Sequence, residues 1–234
     1  MSNVLHFAHK RDQQQKGESK MPRHPDSEVE GHVVDAAYRL WRSKGDRGLT
    51  MRAVALEAGT TTPTVYQRFR DKREILEAMR RRAQWKLFAA VKNSRAIAPF
   101  CQRYLNFASS HKHEYELIHA DWSARLNRDE PRPAFELLKQ RLADRLGGRP
   151  KDHRRLALAI AALSHRTATQ LLIPGVHESV ARELRQTCVM AAESLVESAR
   201  NGRRVRRKRK NVAGTTPRAE GASRRRVPSA SALG

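Results

Sequence analysis

A single glycine, Gly59, separates two short segments whose apolar residues have helical spacing. In the first segment these residues share one side of a helix: Met51, Val54, Ala55 and Ala58. Thr50 precedes them and has a side chain typical of a helix N-cap. A tight turn between helices needs a left-handed residue, which glycine adopts at little cost. The pattern therefore predicts two short helices joined at Gly59.

The second segment begins with threonines and a proline. Pro63 suits the first turn of a helix, where its missing N–H has no intrahelical partner, and either Thr61 or Thr62 would be the cap. Val65 and Phe69 lie one turn apart and are predicted to face inward. Two helices joined by a four-residue turn indicate a helix-turn-helix, whose second helix would enter the major groove of DNA.

The outward side of this second helix would present polar side chains: Thr62, Thr64, Tyr66, Gln67 and Arg68. Their hydroxyl, amide and guanidinium groups suit phosphates and base edges. The next helix is predicted to begin with Asp71 as its cap. Lys72 would lie in its first turn, where backbone N–H groups attract anions.

The segments before this motif complete a small head. An apolar stripe predicts a helix from about Glu28 to Ser43, which Gly45 and Gly48 would end. Residues 1–27 are polar and without periodicity, and they are predicted to form a disordered arm. Residues 28–74 are interpreted as a three-helix DNA-binding domain.

Residues 75–200 are predicted to be helical, because Leu, Ala, Arg and Glu dominate and β-branched alternation is almost absent. Including the helix that begins at Asp71, the predicted helices cover residues 71–93, 97–108, 112–125, 132–146, 151–172 and 177–199. The last two are long and apolar, which is typical of a helix-bundle dimer interface. Core helices of a monomer have the same pattern. The fold class predicted for the whole chain is all-α.

The chain is strongly basic, with a net charge of +23 and a pI of about 11.2. Such a charge favours a polyanionic partner, with nucleic acid as the first candidate and an anionic membrane surface as the second. Residues 201–234 contain eleven Lys and Arg residues against one acid, Glu220, so they carry +10. They are predicted to be a disordered basic tail that adds nonspecific DNA affinity or merely aids solubility.

The sequence argues against other locations and activities. It has no signal-peptide pattern and no apolar run of membrane-spanning length, and its two cysteines, Cys101 and Cys188, suit a reducing cytoplasm. No nucleophile elbow, phosphate-binding glycine loop or spaced metal site is present. The nearby His111, His113 and His119 lack the spacing of metal ligands. We expect a cytoplasmic protein that is not an enzyme and needs no metal or cofactor.

Several segments together resemble the DNA-binding head of the tetracycline-repressor (TetR) family. They are residues 48–55 with Ala58 and Gly59, residues 64–69, and residues 72–76. The resemblance covers residues 28–78, about a fifth of the chain. It implies a set of DNA contacts: Thr50, Arg52, Thr61, Thr62, Pro63, Thr64, Tyr66, Gln67, Arg68 and Lys72. Within it, Thr50 would contact a phosphate, Gln67 would read a base, and Tyr66, Arg68 and Lys72 would hold the DNA backbone.

The resemblance also implies a homodimer and a ligand cavity in a helical body. Effector contacts are assigned to Trp122, His165 and Arg166. For Trp122 the alternative is core packing, and for His165 and Arg166 it is a bond across the dimer or solvent exposure. The hypothesis is a sequence-specific transcriptional regulator, a repressor released from its double-stranded DNA operator by a small-molecule effector. The alternative is a nucleoid-like protein that binds DNA nonspecifically.

Overall fold

The structure is a computed structural model that describes residues 25–120 and 132–213, with side chains for residues 28–120 and 132–203. In that part of the chain all regular structure is helical, which confirms the predicted fold class. The α-helices are α1 (Pro25–Gly48), α2 (Met51–Glu57), α3 (Thr62–Tyr66), α4 (Lys72–Val91), α5 (Ile97–Ser110), α6 (Lys112–His119), α7 (Pro133–Leu146), α8 (Arg154–Leu171) and α9 (Glu178–Ala213). A short 3-10 helix at Pro150–His153 precedes α8. None of the described helices is both long and apolar enough to cross a bilayer.

The chain divides into two compact units. The head unit comprises the described residues up to Ala83 together with residues 116–120. The body unit comprises residues 84–115 and 132–213. The head is therefore larger than the predicted residues 28–74, because it also takes in part of α4 and a piece of α6.

The head is organised around one buried apolar cluster. The cluster combines residues from every helix of the head: Val33, Val34, Ala37, Leu40, Leu49, Val54, Ala55, Val65, Phe69, Ile75, Ala78, Met79 and Leu117. Leu117 of α6 lies almost forty positions after Met79, so local periodicity does not assign it to the head. Burial of such side chains is the main favourable contribution to folding.

The first helix differs from its prediction at both ends. It begins at Pro25, within the residues predicted as a disordered arm, and it extends to Gly48 rather than to about Ser43. Its backbone leaves helical geometry at Gly45, where φ is 63° and ψ is −162°. The predicted break at Gly45 is thus confirmed as a kink. After the kink, the Leu49 N–H donates to the Asp46 oxygen at 3.1 Å, and Leu49 enters the core.

In the body, α5 and α8 pack together, α9 packs against both, and α7 packs against α8. Helix α5 contributes seven buried side chains: Ile97, Phe100, Cys101, Tyr104, Leu105, Phe107 and Ala108. The long helices α8 and α9 confirm two predicted elements. Helix α6 ends at His119 instead of about residue 125, and residues 121–131 lie outside the described part of the chain.

The predicted start of the disordered tail at residue 201 was wrong for residues 201–213, which continue α9 as helix. Lys and Arg have high helix propensity, and cations near a helix C-terminus interact favourably with its dipole. Arg203 also donates from Nη1 to the oxygens of Leu146 and Gly147 at 3.1 and 2.9 Å. Residues 214–234 of the predicted tail lie outside the described residues.

The turn between α2 and α3 yields a stability prediction. Gly59 has a φ of +65°, whereas Gly31 lies inside α1, and neither has an atom within 4 Å of an added Cβ. We expect Gly59→Ala to lower the free energy of unfolding by about 1–2 kcal/mol, because an L-residue is strained in the left-handed region. Gly31→Ala should raise it by about 0.5–1 kcal/mol, because alanine loses less entropy in a helix. Urea denaturation measures both, and equal effects of the same sign would contradict the explanation.

Candidate nucleic-acid interface

The start of α2 is fixed by Thr50. This residue has extended backbone dihedrals, with φ −125° and ψ 155°, and its side-chain oxygen accepts from the Ala53 N–H at 3.1 Å. The predicted N-cap is confirmed. Thr50 is exposed, as is Arg52 in the first turn of the helix, so both side chains are available to a partner on this surface.

The turn after α2 closes through two backbone hydrogen bonds. The Gly59 N–H donates to the Leu56 oxygen at 3.1 Å, and the Thr60 N–H donates to the Ala55 oxygen at 2.9 Å. Gly59 adopts the left-handed conformation that the sequence predicts. The turn therefore satisfies carbonyl groups at the end of α2 while it redirects the chain into α3.

Thr61, not Thr62, is the cap of α3. The Thr61 Oγ1 accepts from the Thr64 N–H at 3.3 Å and lies 2.8 Å from the Thr64 Oγ1. Thr62 is the first residue of the helix, and Pro63 follows in its first turn, as predicted. The two threonine hydroxyls hold the beginning of α3 in one conformation.

Two apolar side chains orient α3. Val65 and Phe69 are buried in the head cluster, as their spacing predicts. On the other side Pro63, Tyr66 and Gln67 are exposed. The remaining residues predicted to face outward, Thr62, Thr64 and Arg68, are half-buried. The helix thus presents one polar, solvent-facing side while its opposite side is held by the core.

The start of α4 adds a further set of contacts. The Glu74 N–H donates to the Asp71 Oδ1 at 2.9 Å, which confirms the predicted cap, and the Glu74 Oε2 accepts from the Arg70 N–H at 2.7 Å. Lys72 donates from Nζ to the main-chain oxygen of Asp46 at 2.7 Å and lies 2.9 Å from its carboxylate. Lys72 therefore ties α4 to the kinked end of α1.

Sequence reasoning missed two residues that brace this surface. Asp46 is one, because its pairing with Lys72 spans 26 positions. The other is Arg39 of α1, whose Nε lies 2.6 Å from the Glu57 carboxylate and whose Nη2 donates to the Glu57 oxygen at 3.1 Å. Both contacts are partly exposed, so each contributes at most about 1 kcal/mol to stability. Only a three-dimensional arrangement reveals such pairs.

The surface formed by residues 50–73 is positively charged. It contains five cations, Arg52, Arg68, Arg70, Lys72 and Arg73, against the two acids Glu57 and Asp71. Hydroxyls, an amide and cations on one short helix suit contacts to phosphates and base edges. This arrangement is what a helix-turn-helix offers to a DNA major groove.

Comparison with known proteins identifies the head. Residues 33–79 match the family model of bacterial regulatory proteins of the tetR family. The head of this chain therefore has the helix-turn-helix domain of the tetR family, which confirms the resemblance seen in the sequence.

Solved structures agree with the TetR fold. A putative TetR-family regulator from Mesorhizobium loti has a TM-score of 0.56 at 16% identity, with 75% of this chain and 98% of that chain covered. A TetR-family regulator from Streptomyces coelicolor has a TM-score of 0.52 at 22% identity, with 72% and 99% covered. At these identities the likeness establishes the fold alone. Among curated proteins, none matches this chain in sequence.

The residues predicted to contact an effector lie only partly within the described chain. His165 is half-buried in α8, whereas its neighbour Arg166 is exposed, and Trp122 lies outside the described residues. The Nδ1 of His165 lies 2.6 Å from the hydroxyl oxygen of Tyr115, which is buried. Burial lowers the pKa of His165 and raises the pKa of Tyr115 to about 12. Both rings are therefore neutral near pH 7.

The cysteines lie in the same part of the body. The Ser164 hydroxyl is 3.8 Å from the Cys101 sulfur and 3.9 Å from the Cys188 sulfur, and all three side chains are buried. Burial raises the pKa of the Cys101 thiol to about 12, so this thiol is not a nucleophile near neutral pH. Among the residues that the structure describes, no three His, Cys, Asp or Glu side chains are grouped to hold a metal ion.

The pairing of Lys72 yields a prediction about its role on DNA. Lys72→Met should reduce the steepness of the salt dependence of DNA binding by about 1, because one phosphate contact is lost. Asp46→Asn should leave that steepness unchanged, since it removes a competing carboxylate and retains the oxygen that Lys72 also contacts. Fluorescence anisotropy with duplex DNA across a salt series measures both variants. If the two variants weaken binding alike, Lys72 acts only as a brace within the head.

Proposed function

We propose that this chain is a sequence-specific repressor that binds a palindromic DNA operator as a homodimer. In this proposal α3 enters the major groove, and α2 contacts the adjacent phosphates through Thr50. A small-molecule effector bound in the body would release the protein from DNA. The double-stranded target implies a cytoplasmic location.

The observation that carries the proposal is the two-sided character of α3. Its buried side is held by Val65 and Phe69, and its cap is held by Thr61. Tyr66 and Gln67 are exposed on the other side. Base readout requires side chains held in a fixed register against the groove, which this arrangement supplies. Gln67 is the proposed base reader, and Tyr66 and Arg68 are proposed to hold the backbone.

The homodimer is supported by apolar side chains left exposed at the end of the body. Four of them lie in α9 or in the loop before it: Ile173, Val180, Met190 and Leu195. Exposed large apolar residues on long helices are typical of helix-bundle interfaces. A second copy of α8 and α9 would cover them and give the protein the twofold symmetry of a palindromic site.

The effector contact is proposed at the Tyr115–His165 pair rather than at Arg166, which is exposed. A neutral imidazole and a phenol provide both donor and acceptor groups in an apolar setting. For release, the effector must bind the DNA-free state more tightly than the DNA-bound state. The effector is proposed to shift the separation of the two heads in the dimer.

The competing function is a nucleoid-like protein without sequence preference. The net charge of +23 favours it, since phosphate neutralisation alone gives substantial affinity. Such a protein would retain its binding after damage to the outward side of α3. The two functions are therefore separable by one substitution.

We predict that Tyr66→Ala abolishes the enrichment of a sequence motif from genomic fragments at about 0.15 M salt, because a backbone contact that positions α3 on the DNA is lost. Trp85→Ala is the matched control, since Trp85 is 59% exposed on α4 and Tyr66 is 53% exposed on α3. The control should select the same motif as the unmodified protein. Enrichment that survives Tyr66→Ala, or a protein that enriches no motif at all, would favour the nucleoid-like function.

A second prediction concerns assembly. Met190 is 62% exposed on α9, and Met190→Arg should place a charge in the proposed interface, where burial without a partner is costly. The sedimentation mass should fall from twice 26.7 kDa to 26.7 kDa. Trp85→Arg should leave the mass unchanged. A monomeric mass for the unmodified protein at micromolar concentration would contradict the homodimer.

A further inference from the structure

The part of α9 beyond the packed body is the most strongly charged segment of the described chain. Six of the seven residues 204–210 are Lys or Arg, and residues 198–219 contain no Asp or Glu. The helix continues through this segment to Ala213. We call residues 204–213 the basic arm.

The root of the basic arm is anchored to the body. Arg203 donates to the oxygens of Leu146 and Gly147 at the end of α7. These carbonyl groups lie at a helix C-terminus, where a cation is favoured. His153 Nε2 also lies 2.8 Å from the Gly147 oxygen. The arm therefore extends from a fixed point and is not tethered by a flexible linker.

Electrostatics within the arm favours an external anion. Like charges three or four positions apart destabilise a helix, and residues 203, 206, 207 and 210 have this spacing. The favourable effect of the helix dipole is confined to the last turn. A polyanion would remove the repulsion along the whole segment.

The composition of the arm distinguishes between polyanions. Helices that lie on membranes need an apolar side to insert, together with a basic one. The apolar residues of the arm are only Val205, Val212 and Ala213, which are too few to form an inserting apolar side. A DNA duplex requires no apolar contact, since its phosphates bind cations with release of counterions.

We propose that the basic arm is a second DNA-binding element, which contacts phosphates as a helix and independently of base sequence. It deepens the proposed function, because it assigns a separate, nonspecific contact to the body of a regulator whose head reads sequence. The occupant is double-stranded DNA.

The charge test uses the full chain and two variants with equal loss of charge. The arm variant carries four substitutions: Arg206→Gln, Arg207→Gln, Arg209→Gln and Lys210→Gln. The control variant carries four outside the arm: Arg218→Gln, Arg224→Gln, Arg225→Gln and Arg226→Gln. The probe is a 30-base-pair duplex of arbitrary sequence. Its affinity for each protein is measured by fluorescence anisotropy over a salt series. Thermal unfolding checks that both variants remain folded.

The arm variant should bind about tenfold or more weakly at ~0.1 M salt, with the salt dependence less steep by about 2–4, because each lost phosphate contact reduces it by about 0.9. The control variant should change binding by less than about threefold. Equal losses in both variants would show a diffuse charge effect and overturn the proposal. Unchanged DNA binding by the arm variant would also overturn the proposal. Tighter binding of the unmodified full chain to phosphatidylglycerol vesicles than to the duplex would overturn it as well.

A second pair of variants tests the helix. Val205→Pro keeps every charge but interrupts the helix, whereas Val205→Ala keeps both the charges and the helix. The proline variant should bind the duplex at least about threefold more weakly than the alanine variant, because cations on a broken helix lose their fixed spacing. Equal affinities would overturn the helical contact.

Selection of genomic fragments separates this proposal from the proposed function. The arm variant should enrich the same motif as the unmodified chain, at higher protein concentration. If no protein enriches a motif, the sequence-specific function fails, while the loss of affinity in the arm variant still supports the second DNA contact.

Discussion

The burial of Val65 and Phe69 is the constraint on which the exposed side of α3 depends. Helix α3 has five residues, and a helix of that length has almost no stability of its own in water. Its orientation is therefore set by these two side chains in the head cluster and by the Thr61 cap. Exposed side chains on α3 have a defined register only because the opposite side is anchored.

The structure distinguishes what local sequence rules can predict from what they cannot. The caps at Thr50 and Asp71, the left-handed turn at Gly59 and the inward direction of Val65 follow from neighbours within four positions, and each was predictable. Two threonines competed for the cap of α3, and only geometry distinguished them.

The differences between the structure and the local predictions have a common cause. Leu117 joins the head from a distant helix, and periodicity does not reveal this. The helical residues 201–213 were predicted to be disordered from composition alone, which does not reveal that Arg203 contacts the end of α7. Likewise, the partner of Lys72 lies 26 positions away. Contacts between residues that are distant in sequence determine these features. Local sequence patterns do not reveal such contacts.

The two-sided build of α3 has an evolutionary consequence. Core-facing and solvent-facing positions of α3 are different residues, so a substitution at Tyr66 or Gln67 changes the exposed chemistry and leaves the apolar cluster intact. Surface substitutions of this kind usually alter stability by less than about 0.5 kcal/mol. A duplicated copy of the gene can therefore diverge in the chemistry of this surface through single substitutions, each of which still yields a folded protein.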